Sequence, residues 1–205
     1  MRYLALLLFL AFSHAEIIDR IAVTVDRRVI TESEILRQIR ITAFLNQEKP
    51  NFTLANRCIT ADRLVEQILI RGELQMSSYS PSEAPATEEY QQLVKRYSSE
   101  EEYQRALKQY GITDADVREA LAWQAGLLEF IDVRFRPGVQ IPAAEIREYY
   151  DEQATQNPGK LPPFEDAKDD IERILTELRV DSALDRWLGQ ARTQSRIRYV
   201  REVFQ

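Results

Sequence analysis

Few side chains in this chain could do chemistry, and their placement restricts what that chemistry could be. The single histidine, His14, sits at the end of an apolar N-terminal run. Arg2 supplies a positive start, Leu4 to Phe12 an uninterrupted apolar stretch, and Ser13 and Ala15 the small residues that a signal peptidase reads. Residues 1–15 are therefore expected to be a cleavable signal peptide. The apolar run is 9 residues long, against roughly 20 for a bilayer-crossing helix. A mature chain beginning at Glu16 then has no imidazole, which leaves Ser-His-Asp and Cys-His nucleophiles, histidine acid–base work and most zinc sites without their parts. Six glycines are spaced so that neither a dinucleotide-binding fingerprint nor a P-loop can be drawn. Carboxylates remain, notably Glu100-Glu101-Glu102 and Asp169-Asp170, but acids this frequent on helical segments read as a solvated face. Cys58 is the only cysteine and reads as a half-buried small apolar residue, since one thiol cannot make an internal bridge. The expectation is a protein with no catalytic residues, no bound metal and no cofactor.

Charge narrows the partners. Loss of Arg2 with the signal leaves 26 basic residues against 33 acidic ones, a formal charge of −7. Such a surface repels phosphate backbones, so nucleic acid is not expected as a partner. The basic cluster Arg192, Arg196, Arg198 and Arg201 has the spacing of helix-end charge compensation. Asn51-Phe52-Thr53 matches a glycosylation sequon, a pattern that also arises by chance.

The elements that would position these groups are mostly helices. Ile17 to Val25 is rich in β-branched residues and reads as a strand, turned by Asp26-Arg27-Arg28 into a short return strand at Val29-Ile30. Thr31 with Glu34 forms a capping box for a first helix, with Ile35, Leu36, Ile39, Phe44 and Leu45 on its apolar stripe. A polar irregular stretch is expected to Cys58, then a helix from Thr60 to Ser78. Ser80-Pro81 and Ala84-Pro85 read as a linker, followed by helices from Thr87 to Tyr97 and from Ser99 to Tyr110, the latter with a Ser99/Glu102 capping box and Gly111 as a left-handed cap. Thr113 with Asp116 opens a long helix to Phe135. Val117, Leu121, Leu128, Ile131 and Phe135 fall on one face of it, and Trp123, Leu127 and Phe130 on an adjacent one. An apolar arc this wide fits burial on two sides, or one face in the core and one lining a groove. Pro142 starts a helix to Gln153, residues 154–163 form a Pro/Gly loop, and Phe164 to Ala191 repeat every three or four residues as one long amphipathic helix. Ile197, Tyr199 and Val203 alternate as a final strand. The expected fold is mainly α, with a small two- or three-stranded sheet joining the two ends of the chain.

The block from Ile18 to Ile35 resembles the start of mature SurA-like periplasmic chaperones, with its apolar strand, Asp turn, short second strand and Thr/Glu-rich helix start. Leu64-Val65-Glu66-Gln67-Ile68-Leu69-Ile70, Ile141 to Tyr150, and Pro163 through Trp187-Leu188 to Val200 resemble later segments of that family in the same order. The likeness covers residues 16–205, divided into an N-terminal part at 16–153, the loop at 154–163 and a C-terminal part at 164–205. Where family members insert parvulin-type prolyl isomerase domains, this chain has only that loop, so the resemblance implies the chaperone core without the isomerase. It implies an ATP-independent holdase in the periplasm, binding unfolded or nascent outer-membrane polypeptides, with a homodimer as one arrangement. Residual isomerase activity and a dedicated adaptor for one envelope partner are the alternatives. On this reading Trp123, Leu127 and Phe130 would line the client groove, with Tyr90, Tyr97 and Tyr103 offering apolar rings with polar tips.

Overall fold

The structure, a computed structural model, describes residues 19–76 and 84–205. The proposed signal at 1–15 and the Ser80-Pro81 linker lie outside the described residues. Strand β1 (Ile21–Val25) and strand β2 (Arg28–Thr31) form a hairpin, and β3 (Ile197–Tyr199) pairs with the other edge of β1. The sheet is antiparallel in the order β2-β1-β3, with Thr24 opposite both Val29 and Arg198. Asp26 turns the hairpin with φ of +52°, a left-handed position that Asp tolerates better than most residues. Its N–H donates to the Arg196 carbonyl at 3.0 Å while its carboxylate accepts from the Arg196 N–H at 2.8 Å. The turn therefore also holds the entry to β3.

Seven α-helices occur among the described residues: α1 (Glu32–Leu45), α2 (Leu54–Met76), α3 (Ala84–Val94), α4 (Glu100–Tyr110), α5 (Asp114–Arg134), α6 (Ala143–Gln156) and α7 (Phe164–Gln194). Thr31/Glu34 and Thr113/Asp116 both close full capping boxes. At Ser99 only half the box forms: its hydroxyl accepts from Glu102 N–H, but the Glu102 carboxylate reaches back to Ser98 N–H at 2.8 Å. Gly111 ends α4 at φ +66°, and Ile112 N–H bonds back to the Leu107 carbonyl in the manner of a Schellman cap.

Several boundaries differ from the sequence expectation. Helix α2 begins at Leu54 rather than Thr60, because Asn51 organises the turn before it: its side chain accepts from Thr53 N–H at 3.0 Å and its carbonyl accepts from Asn56 Nδ2 at 2.6 Å. Helix α3 already includes Ala84-Pro85, with Pro85 in its first turn, where a missing N–H costs nothing. Helix α6 continues to Gln156 and shortens the loop to residues 157–163. Val203 is not in a strand. It is buried in a short 3₁₀ turn, Arg201–Val203. Leu128 is exposed, not on a core face.

Four apolar clusters hold the chain. The first joins both ends, with Ala22, Val23, Val25, Ile30 and Val203 against Ile35 and Ile39 of α1 and Ala61 and Val65 of α2. The second packs Ile41 and Phe44 of α1 with Leu93, Tyr103, Leu107, Val117 and Leu121 from α3, α4 and α5. The third sets Phe130 of α5 and Phe135, which caps that helix, against Ile70 of α2 and Val180 of α7. The fourth is local to the α6–α7 pair, around Ile146, Ala167, Ile171 and Leu175. No helix of the described residues is long and apolar enough to cross a membrane.

Candidate functional site

Helices α1, α2 and α5 diverge on one side of the sheet and leave two cavities of about 590 Å³ each between them. Gln38 and Thr42 of α1, Leu64 and Gln67 of α2, and Trp123 and Gln124 of α5 line both. The cavities thus adjoin as the two ends of one trough, with Trp123 among the residues they share. The hairpin borders the first end, where Arg27, Arg28, Val29 and Ile30 line the cavity alongside Ile41, Leu45, Ile68 and Ala120. At the second end the apolar wall is Ile70, Leu127, Leu184 and Leu188, facing Asn46, Asn51, Asn56 and Arg63.

Electrostatics differ along this trough. At the hairpin end Arg37 pairs with Asp116 at 3.7 Å and Arg71 with Glu119 at 3.3 Å. The Arg71 guanidinium also lies 5.1 Å from the centroid of the Trp123 ring, a cation–π distance. Glu34 is committed to its capping box, accepting from Thr31 N–H at 2.8 Å. Arg28 donates to Gln75 at 3.0 Å, and among the described residues neither Arg27 nor Arg28 meets a carboxylate. A protein of net charge −6 therefore carries a local surplus of positive charge at this mouth.

The six side chains expected to bind peptide fall into different places. Trp123 and Leu127 line the trough and are partly buried. Phe130 is buried one turn on, at the centre of an aromatic group with Phe135 at 5.7 Å and Trp187 at 5.9 Å between ring centroids. Tyr90, Tyr97 and Tyr103 lie in the second cluster, away from the trough, and Tyr103 has no exposed surface. Tyr90 and Tyr103 both donate to Asp114 Oδ1, at 2.6 and 2.8 Å, and Arg118 Nε donates to its Oδ2 at 2.7 Å. Burial works against the Asp114 charge, but these three donors and the Arg118 cation outweigh it and hold its pKa below the usual carboxylate range. Burial, with the Asp114 acceptor beside them, pushes the Tyr90 and Tyr103 hydroxyls above the ordinary phenol value.

The remaining chemistry-bearing residues have structural surroundings. Cys58 is half-buried in α2. Glu100 and Glu101 lie exposed in the first turn of α4, and Asp169 and Asp170 lie exposed on α7, with Asp170 paired to Arg173 at 2.9 Å. Among the described residues no group of three or more His, Cys, Asp or Glu side chains could hold a metal ion. Arg192 does not face solvent as part of a basic patch: it bonds Glu66 at 2.9 Å and tethers α7 to α2. Sequence reasoning missed the trough's amides and arginines. The available signal was Gln38 among Ile35, Ile39 and Ile41, and Gln67 between Leu64 and Ile68: polar residues on otherwise apolar stripes. No protein-family model matches the chain, and no match was found among curated proteins.

Proposed function

We propose that this chain is an exported, ATP-independent chaperone of the SurA-like kind that shelters unfolded polypeptide, and that the trough around Trp123 is where clients bind. One observation carries the reading: a long open concavity whose walls mix an aromatic ring and aliphatic side chains with three glutamine amides, Gln38, Gln67 and Gln124. Apolar walls attract exposed apolar segments of a client, which would otherwise aggregate. Amide side chains each carry donors and an acceptor and can satisfy a peptide backbone whatever its sequence. A site of this composition suits many chains held weakly, and release needs only dissociation. The clients on this reading are unfolded outer-membrane proteins in the periplasm, met after the signal at 1–15 has been removed. The loop at 157–163 joins two helices that pack against each other, which is compatible with a core that carries no inserted isomerase at this point.

The test is light scattering of an unfolded porin diluted from urea, with and without the mature chain. Suppression is expected for several unrelated β-barrel clients, whereas suppression for one partner alone would identify an adaptor instead. A photoreactive group at position 123 should crosslink to those clients; adducts elsewhere but not there would remove the trough from the mechanism.

A further inference from the structure

We infer that a client enters the hairpin end of the trough as an added fourth strand on the free edge of β2, with a client carboxylate held against Arg27 and Arg28. The inference rests on the chaperone reading above and adds how the client is gripped. Successive side chains of a strand point to opposite faces of a sheet, so a cavity bordered by adjacent strand residues reaches beyond a single face toward the strand's edge. The cavity here borders Arg28, Val29 and Ile30 of β2 and Arg27 of the turn before it. β2 is a terminal strand of the sheet, paired only with β1. The hairpin register turns the Arg28 and Ile30 backbone groups toward β1 and leaves those of Val29 facing outward. No other backbone bonds to Val29 among the described residues, and Val29 is 49% exposed. Its outward N–H and C=O groups are therefore available to an extended chain, which gains backbone hydrogen bonds independent of its own sequence.

Charge decides the occupant. A second copy of this chain presenting the same edge would bring four arginines to one seam with no acidic partner for Arg27 or Arg28, a like-charge cost. An extended client segment carrying an aspartate, a glutamate or its terminal carboxylate finds instead the two arginines that lack an acidic partner. The other outer strand does not compete. β3 is three residues long, its Tyr199 hydroxyl is spent on Asp62, and it borders neither cavity.

The test is fluorescence anisotropy with a short fluorescein-labelled peptide of alternating valine and threonine containing one aspartate, N-methylated at one backbone position at a time. Strand addition points every second N–H at β2 and Val29 supplies the outward carbonyl, so methylation at the peptide position opposite Val29 is expected to weaken binding about fivefold and at its two neighbours by less than about twofold. The Arg27→Glu/Arg28→Glu protein should bind the aspartate peptide about tenfold more weakly and its asparagine counterpart almost unchanged. A flat methylation profile, no binding of any peptide, or equal loss for the two peptides overturns strand addition. Porin aggregation measured on the same preparations separates the two readings. Suppression that persists beside a flat profile leaves the holdase standing, and loss of suppression by the unmutated chain removes both.

Discussion

Asp114 is the residue on which the second cluster converges, because it accepts from two tyrosines and an arginine at once. A carboxylate so supplied is held ionised against the cost of burial, and removing it strands two phenolic donors in an apolar setting. Asp114→Ala is expected to lower stability by about 2–3 kcal/mol, and Tyr103→Phe, which deletes one donor and leaves the acceptor served, by about 1 kcal/mol. The pH dependence follows from the directions of the shifts. The Asp114 pKa is depressed in the folded protein, so its contribution is complete above the unfolded carboxylate value and is lost as pH falls through the folded one. The Tyr90 and Tyr103 pKa values are raised, so their contribution is complete below the unfolded phenol value and is lost as pH rises past it. Urea midpoints measured across pH should fall at both extremes, with the acid limb flattened in Asp114→Asn. An unchanged acid limb would mean that Asp114 does not carry it.

At the scale of elements, the α4–α5 corner is the sharpest case of local chemistry setting structure. Gly111 occupies the left-handed region and Thr113 caps the next helix two residues on. Gly111→Ala finds space, with only Arg40 Cδ near at 3.9 Å, so its cost is conformational, about 1–2 kcal/mol. Thr113→Ala should cost about 1 kcal/mol. Thermal melts of the two variants test this, and a Gly111→Ala protein as stable as its parent would contradict the cap. These devices were legible in the sequence because capping depends on three or four adjacent residues. The start of α2 was not: Leu54 and Ile59 are exposed, so no apolar stripe marks its first turns, and the Asn51 turn that sets it uses side-chain bonds no periodicity reveals. Leu128 misled for another reason. α5 packs on α3 and α4 through Val117 and Leu121, then on α7 through Phe130, with its C-cap Phe135 beside it, so its buried face rotates along its length and no single stripe describes it. In the trough, Trp123 and Leu127 stood out by their spacing, while Gln38, Gln67 and Gln124 resembled ordinary surface residues until three helices placed them in one concavity.

At the scale of the molecule, the fold closes only when its two ends meet. β1 takes β3 as its second partner, Val23 opposite Tyr199, and the Val203 side chain fills the first cluster beside Ala22 and Val23. Arg57 fastens that closure, its Nη2 donating to Glu32 at 2.6 Å and to the Val203 carbonyl at 2.7 Å. A chain ending at Ser195 loses β3, Val203 and the carbonyl that accepts from Arg57, and it uncovers a strand whose alternate residues are wholly apolar. Such a truncation should abolish cooperative unfolding in urea, with the far-ultraviolet helix signal partly retained and a dye for exposed apolar surface bound strongly. Lengthening the chain at Gly159, in the exposed loop between α6 and α7, is the matched comparison. Closure entropy grows only with the logarithm of loop length, about 0.6 kcal/mol for each doubling, and the Tyr150–Phe164 ring contact at 5.3 Å keeps the two helices registered across it. A flexible Gly-Ser insertion there should shift the urea midpoint slightly and leave the transition single. A truncated chain that unfolds as sharply as the insertion variant would show that the ends are appended to the helical body and do not complete it.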